Sequence, residues 1–403
     1  MSRIDPPGTA ARRGALHLLD AVLRKGLPLE AAMNAATRDL ERPDDRAFAH
    51  AMAAETLRRL PDLDDLIDRA TKKRLPDDAK ARFALRLALV QALALGTPHH
   101  AAISTVLPLV DGGPRRLVHG VFSTVMREKW ALPEVPKLPG AVVERWRKAW
   151  GEEVVETAAR LIAAPPRIDL ILKDNDDVPP IDGASLLPGH LRVPAGTAVA
   201  ELPGYAEGQF WVQDVSAAAP ARLLGGGDGR TVLDLCAAPG GKTMQLAAAG
   251  WAVTALDVSE SRLARLSENL ARTGLAAELV TADVMAWSPP APVDAILLDA
   301  PCSASGIFRR HPDVLHRVRP KAIAALAEAQ GAMLLRAADW LKPGGRLVYS
   351  VCSLEPEEGE AVIDAFLERR DDYEEIERRR ILPGAYADEG GADSFFIAGL
   401  IRK

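Results

Sequence analysis

The sequence predicts a multidomain protein: an all-α domain over residues 1–130, a small α+β connector over 131–227, and an α/β domain with a doubly wound, mostly parallel sheet over 228–403. Three observations carry that reading. From Ala10 to about Lys129 the chain is rich in Ala and Leu at helical spacing, with no strand signal of useful length. The proline-rich LPEVPKLPG, Leu132 to Gly140, then marks a boundary. Beyond the GGGDG of residues 225–229, short apolar runs alternate with amphipathic stretches, as strands and crossover helices do.

In the first part Leu16, Leu19, Val22 and Leu23 share one helical face. The pattern recurs at Asp44–Leu60, where an Asp N-cap precedes Phe48, Met52, Glu55 and Thr56, and at Asp78–Leu95. With turns at Gly96-Thr97-Pro98 and Asp111-Gly112-Gly113-Pro114, about six or seven helices are expected. His99-His100 has no ligand set nearby and reads as the start of a helix, so no metal is expected. In the connector, Ala141–Ala163 is helical, with Trp146 and Trp150 one turn apart as core residues. Short apolar runs follow at Ile168–Leu172, Thr197–Leu202 and Gly208–Val212.

In the third part strands are expected at Thr231–Leu235, Ala252–Asp257, Ala277–Thr281, Ala295–Asp299 and Arg346–Val351. Helices are expected at Lys242–Ala249, Ser261–Thr273, Pro320–Trp340 and Glu357–Arg369. Ser394–Ile401 is expected to add an antiparallel strand at one edge. Such a sheet is covered on both faces and takes its ligand at the carboxyl ends of its strands.

Composition narrows the function. Of 403 residues, 48% are hydrophobic and 26% charged, which fits an ordinary soluble globular protein. No apolar run reaches membrane-spanning length and MSRIDPPGTAARR lacks a signal-peptide core, so a cytoplasmic protein is expected. Three cysteines, Cys236, Cys302 and Cys352, make neither a disulfide framework nor a C-x-x-C metal site. Residues 1–130 carry 21 Lys/Arg against 16 Asp/Glu, whereas the rest carry 29 against 39, so the basic N-terminal end is the better anion binder; a solvated helical surface explains the excess equally well.

The stretch VLDLCAAPGGKT, Val232–Thr243, joins a strand to a helix N-terminus through a small-residue loop, which suits a ligand with hydrogen-bond acceptors. A P-loop would need glycine where Cys236 stands, and a dinucleotide fingerprint needs three glycines where only Gly240 and Gly241 occur. What remains is Asp234 at the strand end, the loop, and Asp257 at the end of the next strand, the layout of an S-adenosylmethionine site. Asp257 is placed to accept ribose hydroxyls and Asp283 to meet the adenine amino group; the competing role for either is a helix cap.

Asp299-Ala300-Pro301-Cys302 and Ser350-Val351-Cys352-Ser353 bring two thiols to the same rim. Methylation of a pyrimidine at C5 needs that arrangement: one thiolate adds to C6 and makes C5 nucleophilic, and a second base eases loss of the C5 proton. Asp299 would hold the N3/N4 edge of cytosine. Mechanism alone leaves the order of the two thiols open.

DLCAAPGGKT, DAPCS with FRRHPD, and YSVCSLEPEE closely resemble the motifs of the RsmB/Nop2/Sun family of S-adenosylmethionine-dependent RNA cytosine-5 methyltransferases, whose catalytic domain is Rossmann-like. RRGALHLLDAVLRKG through DDRAFAHAMAAETLRRLPDLDDLI is similar to the NusB-like RNA-binding domain of one bacterial branch. The resemblance spans nearly the whole chain. It implies that Cys352 is the nucleophile and Cys302 the thiol that assists release. It also implies cofactor contacts from Cys236, Ala237, Ala238, Pro239, Gly240, Gly241 and Lys242, and from Asp257, Asp283 and Asp299. Gln213-Asp214 matches a motif that packs beside this loop, and Arg309, Arg310 and His311 would lie near RNA. The implied partner is 16S ribosomal RNA or an assembling small subunit, met by a monomer. The alternatives are the same chemistry on tRNA or another rRNA position, or a non-catalytic RNA-binding assembly factor. Two positions depart from the family pattern: Ala304 stands where glycine is usual, and Val351 where threonine is common.

Overall fold

The computed structural model describes residues 6–403 and divides them into two compact units. One takes the chain through Ala164 together with Phe308–Arg317; the other takes Pro165–Ile307 and Val318–Lys403. The reading of residues 1–5 lies outside the described residues. Among the described residues no helix is long and apolar enough to cross a membrane.

The first unit is helical: α1 (Thr9–Leu23), α2 (Leu29–Ala36), α3 (Pro43–Arg58), α4 (Leu60–Ala70), α5 (Lys80–Leu93), α6 (His99–Val106), α7 (Gly113–Arg127), α8 (Gly140–Trp150) and α9 (Glu152–Ile162). His99 does begin a helix. α5 is buried nearly all round, from Ala81 to Gln91, as expected of a helix enclosed by others. Its buried Arg82 and Arg86 sit one turn apart and meet Asp64 and Asp68 of α4 at 2.6–3.0 Å, so their charges enter the core already paired.

Two boundaries differ from the sequence reading. The stretch 141–163 belongs with the helical unit, and Gly151, at φ 85, splits it into α8 and α9. The segment Phe308–Arg317, which contains α13 (Val314–Arg317), also joins the helical unit although its sequence lies within the expected α/β domain. Phe308 packs on buried Trp146 at 5.4 Å. Arg58 donates to the Arg309 carbonyl, the Leu29 N–H to Asp313, and the His316 ring to the Leu57 carbonyl at 2.7 Å. Burial pushes the His316 imidazole down to about 4.

The second unit holds two sheets. β1 (Ile168–Leu172), β2 (His190–Val193) and β3 (Phe210–Val212) form an antiparallel sheet in the order β2-β1-β3. The expected apolar run at 197–202 is instead a 3-10 turn at Val199–Glu201, and β2 takes its place. A buried Asp169 accepts from Arg192 at 2.6 and 2.8 Å and from the Val215 N–H at 3.0 Å, tying this sheet to α10 (Val215–Arg222).

The large sheet contains β4 (Thr231–Leu235), β5 (Ala252–Asp257), β6 (Glu278–Thr281), β7 (Val293–Asp299), β8 (Leu341–Val351), β9 (Tyr373–Ile381) and β11 (Phe395–Arg402); the short β10 (Pro383–Tyr386) connects β9 toward β11. Its order is β6-β5-β4-β7-β8-β11-β9, with the first five strands parallel. Alternate residues feed opposite layers. Leu233, Leu235, Ile296 and Leu298 pack against α14 (Pro320–Ala338) and α15 (Glu360–Arg369). Val232, Ala295 and Leu297 pack with α10, α11 (Gly241–Ala248) and α12 (Glu260–Thr273). Double-sided burial is why the strands read as continuous apolar runs. β11 is antiparallel as expected, but it is not the edge: it lies between β8 and β9. Strand order reverses between β4 and β7, which sets a crevice at their carboxyl ends.

Candidate active site

β4 runs into Cys236, whose φ of 63 turns the chain into the small-residue loop, and α11 starts after Gly240 at φ 105. A Cβ on Gly240 would sit 2.0 Å from Leu266 Cδ1 of α12, so only glycine lets the loop lie this close to the helix. At Gly241 a Cβ would meet the Gln213 amide at 2.9 Å. Gln213 therefore packs beside the loop as the sequence suggested, fixed by Trp211 Nε1 at 2.8 Å and by Gln245 at 2.8 Å. Asp214 caps α10.

Beside this loop lies a cavity of about 180 Å³, bounded by Cys236, Leu256, Asp257, Val258, Asp283, Val284, Pro301 and Met333. Asp257 is buried, receiving the Ala238 N–H on one oxygen at 3.2 Å and the Ser259 N–H on the other at 2.9 Å. Those bonds fix the carboxylate and leave acceptor capacity on each oxygen. Asp283 is exposed on the cavity wall and accepts the Met285 N–H at 2.8 Å in a turn; no helix lies between β6 and β7, so it caps none. The lining combines the carboxylates of Asp257 and Asp283, the Arg262 guanidinium 3.4 Å from Asp257, and apolar Leu256, Val258, Val284 and Met333, a set that complements an adenosine with its hydroxyl and amino donors and apolar ring face. A larger open groove of about 700 Å³, lined by Lys173, Trp211 and Arg222 among others, holds none of the sequence-predicted site residues.

The next part of the rim carries the thiols. Cys302 follows β7, Cys352 follows β8, and their sulfurs are 3.4 Å apart. Asp299 ends β7; its carboxylate takes Lys242 Nζ at 2.7 Å on one oxygen and Ser350 Oγ at 2.8 Å on the other, with its side chain about 31% exposed. Lys242, assigned to the cofactor from the sequence, thus bonds to the acid between cofactor loop and thiols. Burial works against its ammonium, but Asp299 and then Cys352 and Asp234 more than compensate and raise its pKa.

Two of the three cysteines are held in their neutral form. Cys302 is raised well above the ordinary thiol value by the hydrogen bond with Cys352, by burial, by the Cys352 charge and by Glu358. Burial and three nearby aspartates push Cys236 up to about 12, which leaves it a neutral wall of the cavity. Burial raises Asp234 to about 7 even though Thr243 Oγ donates to it at 2.5 Å.

Sequence reasoning passed over Glu358. Fully buried, it accepts from the Ser303 N–H at 2.8 Å, from Ser303 Oγ, from Ser353 Oγ at 2.5 Å and from Gln330 Nε2 at 3.1 Å. Ser303 and Ser353 each follow one of the cysteines. Arg309 requires a correction: its side chain is buried within the helical unit, so it is not presented to RNA, and only the half-buried Arg310 and His311 remain from that group.

Residues 221–401 match the family described as 16S rRNA methyltransferase RsmB/F, and residues 9–126 match the NusB family. The chain is similar to the ribosomal RNA small subunit methyltransferase B of Xylella fastidiosa (strain Temecula1), 35% identical with 98% of each chain covered. It is also similar to that of Erwinia tasmaniensis, 33% identical with 96% of this chain and 98% of the relative covered. A solved methyltransferase homologue from Pyrococcus horikoshii superposes with a TM-score of 0.57 at 25% identity, over 70% of this chain and 98% of that one.

Proposed function

The chain belongs to the RsmB/F family of 16S rRNA methyltransferases, which use S-adenosylmethionine, and on that premise we propose that it methylates C5 of a cytosine in 16S ribosomal RNA. The observation that carries the proposal is the pair of thiols 3.4 Å apart beside an Asp299–Lys242 pair. Methyl transfer to an oxygen or an exocyclic nitrogen has no use for two thiols; transfer to C5 uses both.

In this reading Asp257 and Asp283 hold the ribose and adenine of S-adenosylmethionine, which supplies an electrophilic methyl group. The loop Cys236, Ala237, Ala238, Pro239, Gly240, Gly241 shapes the wall beside them. Asp299, held by Lys242 on one oxygen and Ser350 on the other, is still partly exposed and is the group assigned to the N3/N4 edge of cytosine. Cys352 is the nucleophile: its sulfur bonds to C6, and the ring electrons move to C5. Cys302 begins as a neutral thiol whose proton is shared toward Cys352. Once Cys352 is bonded to carbon, it no longer carries the charge or accepts the bond that raised Cys302, so Cys302 can release its proton to solvent and, as a thiolate, take the proton leaving C5. Loss of that C5 proton restores the ring and breaks the Cys352–C6 bond. The base must be single-stranded or flipped, because C5 and C6 are not both reachable within a stack. Arg310, His311 and the NusB-like helical unit are the candidates for RNA contact.

Mapping 5-methylcytosine in cells with and without the protein tests the target. Loss of one 16S rRNA site is expected; loss of a tRNA or other rRNA site would move the target but keep the chemistry, and loss of no site would leave a binding factor without catalysis.

A further inference from the structure

Behind the thiols lies a carboxylate that touches neither. Glu358 comes from the 3-10 turn Pro356–Glu358 and is fully buried. A buried carboxylate is costly unless each oxygen is well bonded. Here the donors are neutral, and they come from three separate places: Ser303 one residue past Cys302, Ser353 one residue past Cys352, and Gln330 on α14. The same Gln330 amide also donates to the Pro301 carbonyl at 2.9 Å, one residue before Cys302. Tyr349 Oη on β8 donates to the Glu358 carbonyl at 2.6 Å and to Gln330 Oε1 at 3.2 Å. Ser303 and Ser353 hydroxyls are themselves 3.1 Å apart. The two cysteine loops belong to strands 50 residues apart in sequence, and this one side chain bonds to both.

We infer that Glu358 is a positioning residue for the reaction proposed above: it clamps the Cys302 loop to the Cys352 loop and so holds the releasing thiol against the nucleophile. The inference rests on the cytosine-C5 reading. Gln330 and Tyr349 brace the clamp, so the acid cannot follow one loop without the other.

Glu358→Gln keeps the shape, removes the charge and replaces one of the two accepting oxygens with an NH2 group that faces donors. The full-length variant is compared with wild type and Cys302→Ala, using a 16S rRNA transcript and S-adenosylmethionine. Expected is a covalent protein–RNA adduct about tenfold above wild type, as for Cys302→Ala, because addition by Cys352 continues while release stalls. Affinity for S-adenosylmethionine, read by calorimetry, is expected to be unchanged. Ser303→Ala, which removes the hydroxyl bond to Glu358 and keeps the Ser303 N–H bond, is expected to give the same stall in weaker form and serves where Glu358→Gln folds poorly. Wild-type release in Ser303→Ala and in folded Glu358→Gln would overturn the inference, as would loss of cofactor affinity in both, since that marks a general support of the fold. A second readout needs no RNA: alkylation of Cys302 by iodoacetamide, followed by mass spectrometry, is expected to run about fivefold faster in Glu358→Gln, because the thiol is both looser and more acidic. An unchanged alkylation rate counts against the clamp. If Cys302→Ala itself gives no adduct while alkylation still accelerates, the cytosine-C5 reading has failed and the clamp has not.

Discussion

Ala304 offers a test of how the thiol loop is built. It stands two residues past Cys302 with φ 58, in the left-handed region where L-residues with a Cβ are crowded. Its carbonyl accepts the Ile307 N–H at 3.2 Å, which fixes the turn that carries the chain into Gly306. Gly306 in turn has no room for a side chain, since a Cβ would lie 2.2 Å from the Ser394 carbonyl. The turn therefore cannot relax toward Gly306 to relieve Ala304. Left-handed backbone costs an alanine about 1–2 kcal/mol, and changing it to glycine loses about 0.4–1 kcal/mol through a freer unfolded chain. Ala304→Gly is thus expected to stabilise the second unit by about 0.5–1 kcal/mol, raising its melting temperature by about 2 °C. Calorimetry or urea unfolding of the full chain reads this directly. A loss of stability on Ala304→Gly would refute the reasoning, because it would mean that the methyl packing matters more than the backbone strain. The same observation accounts for a family position at which glycine is usual.

Other outcomes follow from the same geometry. Lys242→Met removes the cation on Asp299 and should slow methyl transfer on the order of 100-fold with protein yield preserved, measured by single-turnover kinetics; an unchanged rate would remove Lys242 from the mechanism. Asp234 has a folded pKa of about 7 against 3.8 for the free side chain, so the unfolded state loses its proton first and stability should fall as pH rises from 3.8 to about 7 and then level. Asp234→Asn should flatten that slope in thermal melts, and an identical slope would contradict the burial argument. His316 has the opposite sign: its folded pKa of about 4 lies below the usual 6.5, so the helical unit should lose stability as pH falls through that window, with hydrogen exchange rising first in residues 308–317. Affinity for 16S rRNA should weaken steeply between about 50 and 200 mM salt if phosphates are contacted; a flat response would point to base contacts alone.

The parallel strands were legible in the sequence because a strand buried on both faces must be apolar throughout, and β4 and β5 begin and end at the expected residues. β9 was not legible. Its YEEIERRRI carries charge at most positions, which protects an exposed sheet edge but hides the strand. That omission is also why β11 was expected at the edge. The departure at Val351 needed the structure for its explanation: as the last residue of β8 it is fully buried in an apolar cluster, where a methyl packs without needing a hydrogen-bond partner. The segment 308–317 escaped notice because nothing local marks a return to another unit; its attachment depends on Trp146, Arg58 and Leu57 far earlier in the chain. Glu358 was hidden for a similar reason. In an acidic EPEE stretch a glutamate reads as solvated, and its burial arises only when residues 303, 330 and 353 converge. Residue types and spacing located the thiols; tertiary contacts were needed to say how they are held.

The central claim is that Cys352 attacks the base and Cys302 completes release. Its most direct test is the site of covalent attachment. Full-length Cys302→Ala, incubated with S-adenosylmethionine and a 16S rRNA transcript, is digested and the RNA-linked peptide sequenced by mass spectrometry. The peptide containing Cys352 should carry a methylated cytidine, and Cys352→Ala should yield neither adduct nor product. An adduct retained by Cys352→Ala and absent from Cys302→Ala would contradict the account.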